Sequence, residues 1–278
     1  MLSPSGKLFA DSRCDRIVSL APSVTETIYE LGLGKQLVGR TRFCRYPPEA
    51  ASVPSVGGFY DISVEAIVSL RPSYILTLAE SRDTAEKAAR FGGQVLVLDH
   101  TSVHGIKESI QQIASVCGIE ATGAAKLKEL GLRENAVRVK VAASEAPRTL
   151  VVVGRTQGPT EASAVYVSGS DGFYSEVLAL AGARNVNERP TVALPLMSPE
   201  GLMVLKPDVV LEVVSVDDAL DAQAARKLWA RFPSVPAVQR GRVYVLSQDY
   251  ASIPGPRYIN LVEQVAQLLH PEVTKADG

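Results

Sequence analysis

The sequence predicts an α/β protein of two lobes with parallel sheets, joined by one long backbone helix. Three observations carry this expectation. Short apolar runs alternate with helix-forming stretches along the whole chain, the pattern of parallel strands covered by helices. Residues 120–145 contain no proline, are rich in Ala, Leu, Lys, Arg and Glu, and are stopped by Pro147. Such side chains lose little rotamer freedom in a helix, and proline cannot continue one. Finally, residues 65–72 (EAIVSLRP) and 200–207 (EGLMVLKP) both read E-x-(I/L)-x-x-L-(R/K)-P and both precede an apolar strand. The expected boundaries are an N-terminal lobe over 1–118, a linking helix over 119–146 and a C-terminal lobe over 147–278.

In order, RIVSL at 16–20 reads as a strand, and Ser23-x-x-Glu26 as a capping box opening a helix that Gly32 and Gly34 close. QLVGR returns as a strand, and the prolines of TRFCRYPPEA argue against regular structure. ISVEAIVSLRP gives a short helix, SYILTL a strand, residues 82–91 a helix, QVLVLD a strand and VHGIKESIQQIASVCG a helix. In the central helix Gly123 and Gly131 each cost roughly 1 kcal/mol relative to alanine. Beyond Pro147 the scheme restarts: RTLVVVG is a strand, GRTQGPTEASAVYVSG a long loop and DGFYSEVLALAGA a helix closed by Gly182. SPEGLMVLKP and DDALDAQAARKLWARF read as helical, DVVLEVV and RVYVLS as strands, and PRYINLVEQVAQLL as a last helix opened by proline. YELGLGKQLVG at 29–39 also resembles LALAGARNVN at 178–187, so two matched units point to internal duplication. Two related lobes suggest a ligand held in the cleft between them.

A net charge of -1 gives no bulk electrostatic reason to bind nucleic acid or an anionic membrane. No apolar run approaches the ~18 residues that cross a bilayer, and the N-terminus lacks the basic start and apolar core of a secretory leader. Cys14, Cys44 and Cys117 have no metal-site spacing; they read as buried or idle thiols, with at most one disulfide among them and its pairing undetermined. The motifs of enzymes fail: residues 169–172 (GSDG) lack nucleophile-elbow spacing, Gly32 and Gly34 follow a helix instead of opening one, and no phosphate-binding loop occurs. His100 and His104 read as exposed cap residues and not a metal pair, and His270 as solvated. No catalytic residue, metal site or catalytic cofactor is expected.

RIVSLAPSVTE, VGRTRFCRYPPEA, VEAIVSLRP, the central helix, PEGLMVLKPDVV and GRVYVLSQDYASIPGPR follow one another in order. In this the chain resembles the helical-backbone substrate-binding proteins of ABC importers, over about residues 15–270. The resemblance is nearest to the cobalamin-binding members, through Ala21-Pro22-Ser23-Val24-Thr25-Glu26 and Tyr46-Pro47-Pro48. It implies Rossmann-like lobes, a periplasmic or extracytoplasmic monomer, and a partnership with a membrane permease dimer. The implied cargo is cobalamin or another corrinoid, with a ferric siderophore or haem as the alternative.

The resemblance places ligand contacts at Pro22, Ser23, Val24, Phe43, Phe59 and Tyr60 in the first lobe, and at Tyr166, Leu194, Asp249, Tyr250 and Arg257 in the second. Aromatic side chains suit a flat, bulky ligand because they bury large area at little entropic cost. Where cobalamin binders often carry tryptophan, this chain has Phe59, Leu78 and Leu194; its single tryptophan, Trp229, lies in a helical pattern and reads as core. Glu65 and Glu200 open the repeated helices, where carboxylates are favoured. The resemblance adds a second role, one acidic knob per lobe meeting arginines on the transporter.

Overall fold

The computed structural model describes residues 14–156, 164–191, 194–214 and 222–274. The chain divides into two compact units, Met1–Asp99 with Lys107–Leu127, and His100–Ile106 with Lys128–Gly278. The loop expected over 157–163 and the helical pattern at 217–221 lie outside the described residues.

The first unit runs β1 (Ile17–Ser19), α1 (Pro22–Glu30), β2 (Leu37–Arg40), α2 (Val64–Ser69), β3 (Tyr74–Leu78), α3 (Arg82–Ala89), β4 (Gln94–Leu98) and most of α4 (Val103–Cys117). Its four strands are all parallel, in the order β2-β1-β3-β4. All of β1 and most of β3 are buried, which is why both read as uninterrupted apolar runs. Ile67 of α2 and Ala85 and Ala88 of α3 pack with Val18 and Ile75 of the sheet.

After α5 (Glu120–Val141) come β5 (Arg148–Arg155), β6 (Val165–Val167), α6 (Phe173–Leu180), β7 (Arg184–Asn185), β8 (Leu196–Met197), α7 (Pro199–Leu205) and β9 (Val209–Val213). Then follow α8 (Ala222–Trp229), α9 (Pro236–Gln239), β10 (Val243–Leu246), α10 (Asp249–Ser252), α11 (Tyr258–Leu269) and α12 (Pro271–Thr274). Strands β7, β5, β9 and β10 pair in parallel and in the same order as β2, β1, β3 and β4. Trp229 is core as expected, packed with Leu150, Val210 and Phe232.

The duplication reaches individual atoms. Arg16, just before β1, donates from its guanidinium to the Leu70 carbonyl at 2.8 and 2.7 Å. Arg148, opening β5, does the same to the Leu205 carbonyl at 3.0 Å. Each arginine thereby satisfies a carbonyl at the end of the repeat helix of its own unit, where the helical ladder offers no donor. Gly32 and Gly182 close α1 and α6 with φ of 74° and 76°, a region that glycine enters without a Cβ penalty.

Helix α5 contributes to both units, and its side chains explain where the division falls. In its first half Lys126 pairs with Glu30 of α1 at 2.7 Å, and Gly123 lies so close to α4 that an added Cβ would sit 2.5 Å from the Ala114 Cβ. In its second half Arg133 donates to both Glu263 carboxylate oxygens and to Asn260, all on α11. The Tyr258 hydroxyl donates to Glu134 at 2.7 Å. Gly131, by contrast, has nothing within 4 Å of its missing Cβ. The two glycines should therefore respond oppositely to alanine. Gly131→Ala should stabilise by up to about 1 kcal/mol through helix propensity. Gly123→Ala should destabilise by about 1–3 kcal/mol through overpacking. Chemical denaturation of both variants checks this, and equal shifts of the same sign would refute it.

Several expectations need correction. The sheet of the second unit is not wholly parallel: β6 runs antiparallel to β5 and to β8, inside the stretch expected to be loop. Ser23 and Glu26 form no capping box. The helix already starts at Pro22, whose missing N–H costs nothing at the first position, so both side chains lie inside α1 and are buried. A single 3-10 turn forms at Pro48–Ser52. Cys14 and Cys117 are joined as a disulfide across a separation of 103 residues, so only Cys44 remains a buried thiol. His100 and His270 are buried and not exposed, and a ring nitrogen of His270 lies 3.1 Å from the Ala181 carbonyl oxygen.

Candidate ligand-binding loops and paired acidic knobs

In an open α/β sheet the carboxyl ends of the strands face a crevice where the strand order reverses, here between β1 and β3. Pro22 follows β1 and Leu78 ends β3, so two of the expected contacts flank that point. Ser23 and Val24 are buried within α1 and offer no side-chain surface.

The loops after β2 carry the aromatics. Phe43 is 40% exposed, Phe59 52% and Tyr60 96%, with the Phe59 and Tyr60 rings edge to face at 4.9 Å. Two segments far apart in sequence are clamped together beneath them. Arg42 donates to both oxygens of Asp61 at 2.7–2.9 Å, and the Gly58 N–H donates to the same carboxylate at 3.0 Å. A Cβ on Gly58 would collide with the guanidinium and the carboxylate. Arg42 also lies over the Phe43 ring, 5.5 Å from its centroid. Its hydrogen bonds hold the Asp61 carboxyl below the ordinary range; partial desolvation pulls the other way, and the Gly58 N–H adds a smaller lowering. The clamp orients exposed aromatics that have no apolar packing reason to stand in water.

An open recess of about 820 Å³ also lies in this unit, lined by Glu26, Tyr29, Lys35, Tyr46, Pro47 and Glu49. It includes none of the expected ligand contacts, so volume and aromatic display disagree. The aromatic loops are the better candidate, because ligand sites are lined mainly by apolar and aromatic side chains, whereas carboxylates outnumber cations in that lining.

In the second unit Tyr166 of β6 pairs across the ladder with Leu196 of β8, and both are exposed, as is Leu194. Cross-strand partners share a face, so Leu196 extends the apolar surface that Tyr166 begins. Sequence reasoning missed Leu196; the alternation of Leu194 and Leu196 ahead of buried Met197 was the available signal. Asp249 and Tyr250 open α10 after β10. Arg257 is only 7% exposed and its two terminal nitrogens donate to the two Asp249 oxygens at 2.8 and 2.9 Å. Burial would raise the Asp249 pKa, but the hydrogen bonds and charge of Arg257 outweigh it and hold it low. What this loop presents outward is therefore Asp249 and Tyr250, with Arg257 as their buried counter-charge.

Glu65 and Glu200 share one local geometry. Ser63 caps α2 by accepting from the Ala66 N–H at 3.1 Å, and Ser198 caps α7 by accepting from the Gly201 N–H at 3.3 Å. Each glutamate follows its cap by two residues, is exposed, and has its pKa lowered by its own backbone N–H and by the cap hydroxyl. Both therefore stay anionic throughout the neutral range. Among the described residues no group of three or more His, Cys, Asp or Glu could hold a metal ion, and no helix is long and apolar enough to cross a membrane.

A family model described as periplasmic binding protein matches residues 17–250. An uncharacterized ABC transporter substrate-binding lipoprotein, YvrC, of Bacillus subtilis (strain 168) is 29% identical over 269 residues, spanning 94% of this chain and 81% of the relative. A vitamin B12-binding protein of Pectobacterium atrosepticum is 26% identical over 260 residues, spanning 91% and 88%. Among solved structures, the periplasmic haem binding protein HutB of Vibrio cholerae superposes with a TM-score of 0.79 at 25% identity, covering 92% of this chain and 99% of that one.

Proposed function

We propose, starting from the fact that this chain belongs to the periplasmic binding protein family, that its cargo is a corrinoid. The family is a transport type and not an enzymatic one, and the coarser role follows directly: this is an ABC transporter substrate-binding protein, with a small-molecule ligand and a membrane transporter as partner. The observation that carries the corrinoid reading is the clamped display of Phe43, Phe59 and Tyr60 on one unit, with Tyr166, Leu194 and Leu196 exposed on the other. Broad apolar rings and leucines match the face of a macrocycle. A vitamin B12-binding relative supports the same choice.

Haem is the second reading, favoured by a specific observation. The Tyr60 and Tyr166 phenols are exposed, and tyrosinate is a known haem-iron ligand. We further propose that the protein works outside the cytoplasm, because the disulfide between Cys14 and Cys117 persists only in an oxidising compartment. Glu65 and Glu200 are proposed as the transporter-docking knobs.

Incubation with cyanocobalamin, hemin or a ferric hydroxamate siderophore, followed by desalting and an absorbance spectrum, tests the cargo. Retained corrinoid absorbance is the expected result. Phe59→Ala should then weaken corrinoid binding by about 1–3 kcal/mol, the worth of a buried aromatic. Retention of hemin alone, with a spectrum altered by Tyr60→Phe or Tyr166→Phe, would replace this reading with the second one. Retention of the siderophore alone would overturn both.

A further inference from the structure

Each repeat helix ends as oddly as it begins. Arg71 and Lys206 stand six residues after Glu65 and Glu200, at matching positions before Pro72 and Pro207. Both are held at φ 47°, the left-handed region that L side chains enter only at a steric cost and that glycine enters freely. Both side chains are exposed and make no hydrogen bond or ion pair with any described residue. Elsewhere the chain puts glycine where a helix must end in this conformation, at Gly32 and Gly182. So the duplicated unit twice keeps a cation where glycine would be the easier residue, and among the described residues no hydrogen bond or ion pair uses that cation. The strain argues that the side chain serves something outside the molecule.

We propose that Arg71 and Lys206 are the cationic half of the docking surface, meeting acidic groups on the extracytoplasmic face of the transporter. This rests on the docking role proposed for Glu65 and Glu200. Glu65 and Glu200 stand in the first turn of α2 and α7, and Arg71 and Lys206 just past their C-terminal ends, so each repeat helix carries an anion at one end and a cation at the other. A single anion can meet any basic spot on a partner. An anion and a cation at fixed spacing fit only a surface with the complementary pair in the reverse order, which sets orientation and rejects wrong partners. Charge complementarity of this kind favours a protein surface over a lipid one, because an anionic bilayer would be repelled by the adjacent glutamates.

The test exploits opposite signs. Replacing both residues by glycine (Arg71→Gly with Lys206→Gly) relieves the backbone while deleting both charges. The melting temperature should hold or rise, while the concentration needed for half-maximal ATPase stimulation rises about tenfold. The assay uses the importer that the unsubstituted protein stimulates, reconstituted in liposomes, at low salt. Arg71→Lys with Lys206→Arg should restore most of the stimulation. An unchanged stimulation curve for the glycine pair, with loss for the Glu65→Gln, Glu200→Gln pair, would sink this inference and leave the docking role standing. Unchanged curves for both pairs would overturn both. If the unsubstituted protein binds phosphatidylglycerol vesicles lacking the importer and the glycine pair does not, the cations serve the lipid surface and the transporter assignment is wrong.

Discussion

Replacing Cys14 and Cys117 together by alanine should lower the stability of the first unit by as much as about 4.7 kcal/mol, the chain-entropy value for a loop of roughly a hundred residues. The bridge joins the residues just before β1 to the last residue of α4, so it closes nearly the whole first unit into one loop. Without it the unfolded chain regains the freedom of that loop, while the folded state loses little, because both side chains are small and buried. The melting temperature of that unit should fall by on the order of 10 °C. Dithiothreitol should produce the same fall in the unsubstituted protein. Cys44 gives an internal control: it is buried, and burial raises its thiol pKa before the hydrogen bonds of Thr25 and Thr41 lower it in part. Native protein should therefore resist alkylation, denatured protein should take one label, and denatured reduced protein three. A melting temperature unchanged by both reduction and substitution would contradict the linkage.

That bridge marks the limit of what was legible in the sequence. Features fixed by local chemistry could be read. The helix stop Leu-(Arg/Lys)-Pro, the glycine closures and the apolar strands placed both sheets and exposed the duplication, because each depends on neighbours within a few residues. Features fixed by what the chain folds against could not. Nothing in the spacing of three cysteines tells which two meet, and nothing near Arg42 announces Asp61. His270 ends a helix, a place that usually faces water, but here the chain lays it against the end of α6. Strands β6, β7 and β8 have two or three residues each, too few for a period of two to show. The aromatic positions expected at the ligand came from the resemblance, whereas the clamp beneath them and Leu196 required the fold. The burial of Ser23 and Val24 follows from where α1 starts, which a capping-box reading placed two residues too late.

Replacing both Glu65 and Glu200 by alanine should nearly abolish productive docking on the transporter while leaving ligand affinity within a few tenths of a kcal/mol, the range of surface changes away from a site. Each carboxylate is exposed at the first turn of a Ser-capped helix and is none of the expected ligand contacts, so ligand affinity should not depend on it. The competing explanation is that glutamate is there to serve the helix. It predicts a small stability loss for each variant, since a carboxylate near a helix N-terminus is favourable there but fully solvated. It also predicts a pH signature. Both pKa values are depressed, so whatever stability these groups contribute is present above the ordinary carboxylate range and is lost as pH falls through the folded-state value. At neutral pH that contribution is complete and pH-independent. Docking behaves differently: a rim charge opposite a basic patch acts mainly on association rate, so its effect should shrink with added salt even at constant pH. Single variants should slow association and reduce its salt dependence, and the double variant should remove most of both. ATPase stimulation measured across a salt series, beside melting temperatures for the same proteins, separates the explanations. Normal stimulation by the Glu65→Ala, Glu200→Ala protein at every salt concentration would leave only the helix-capping role.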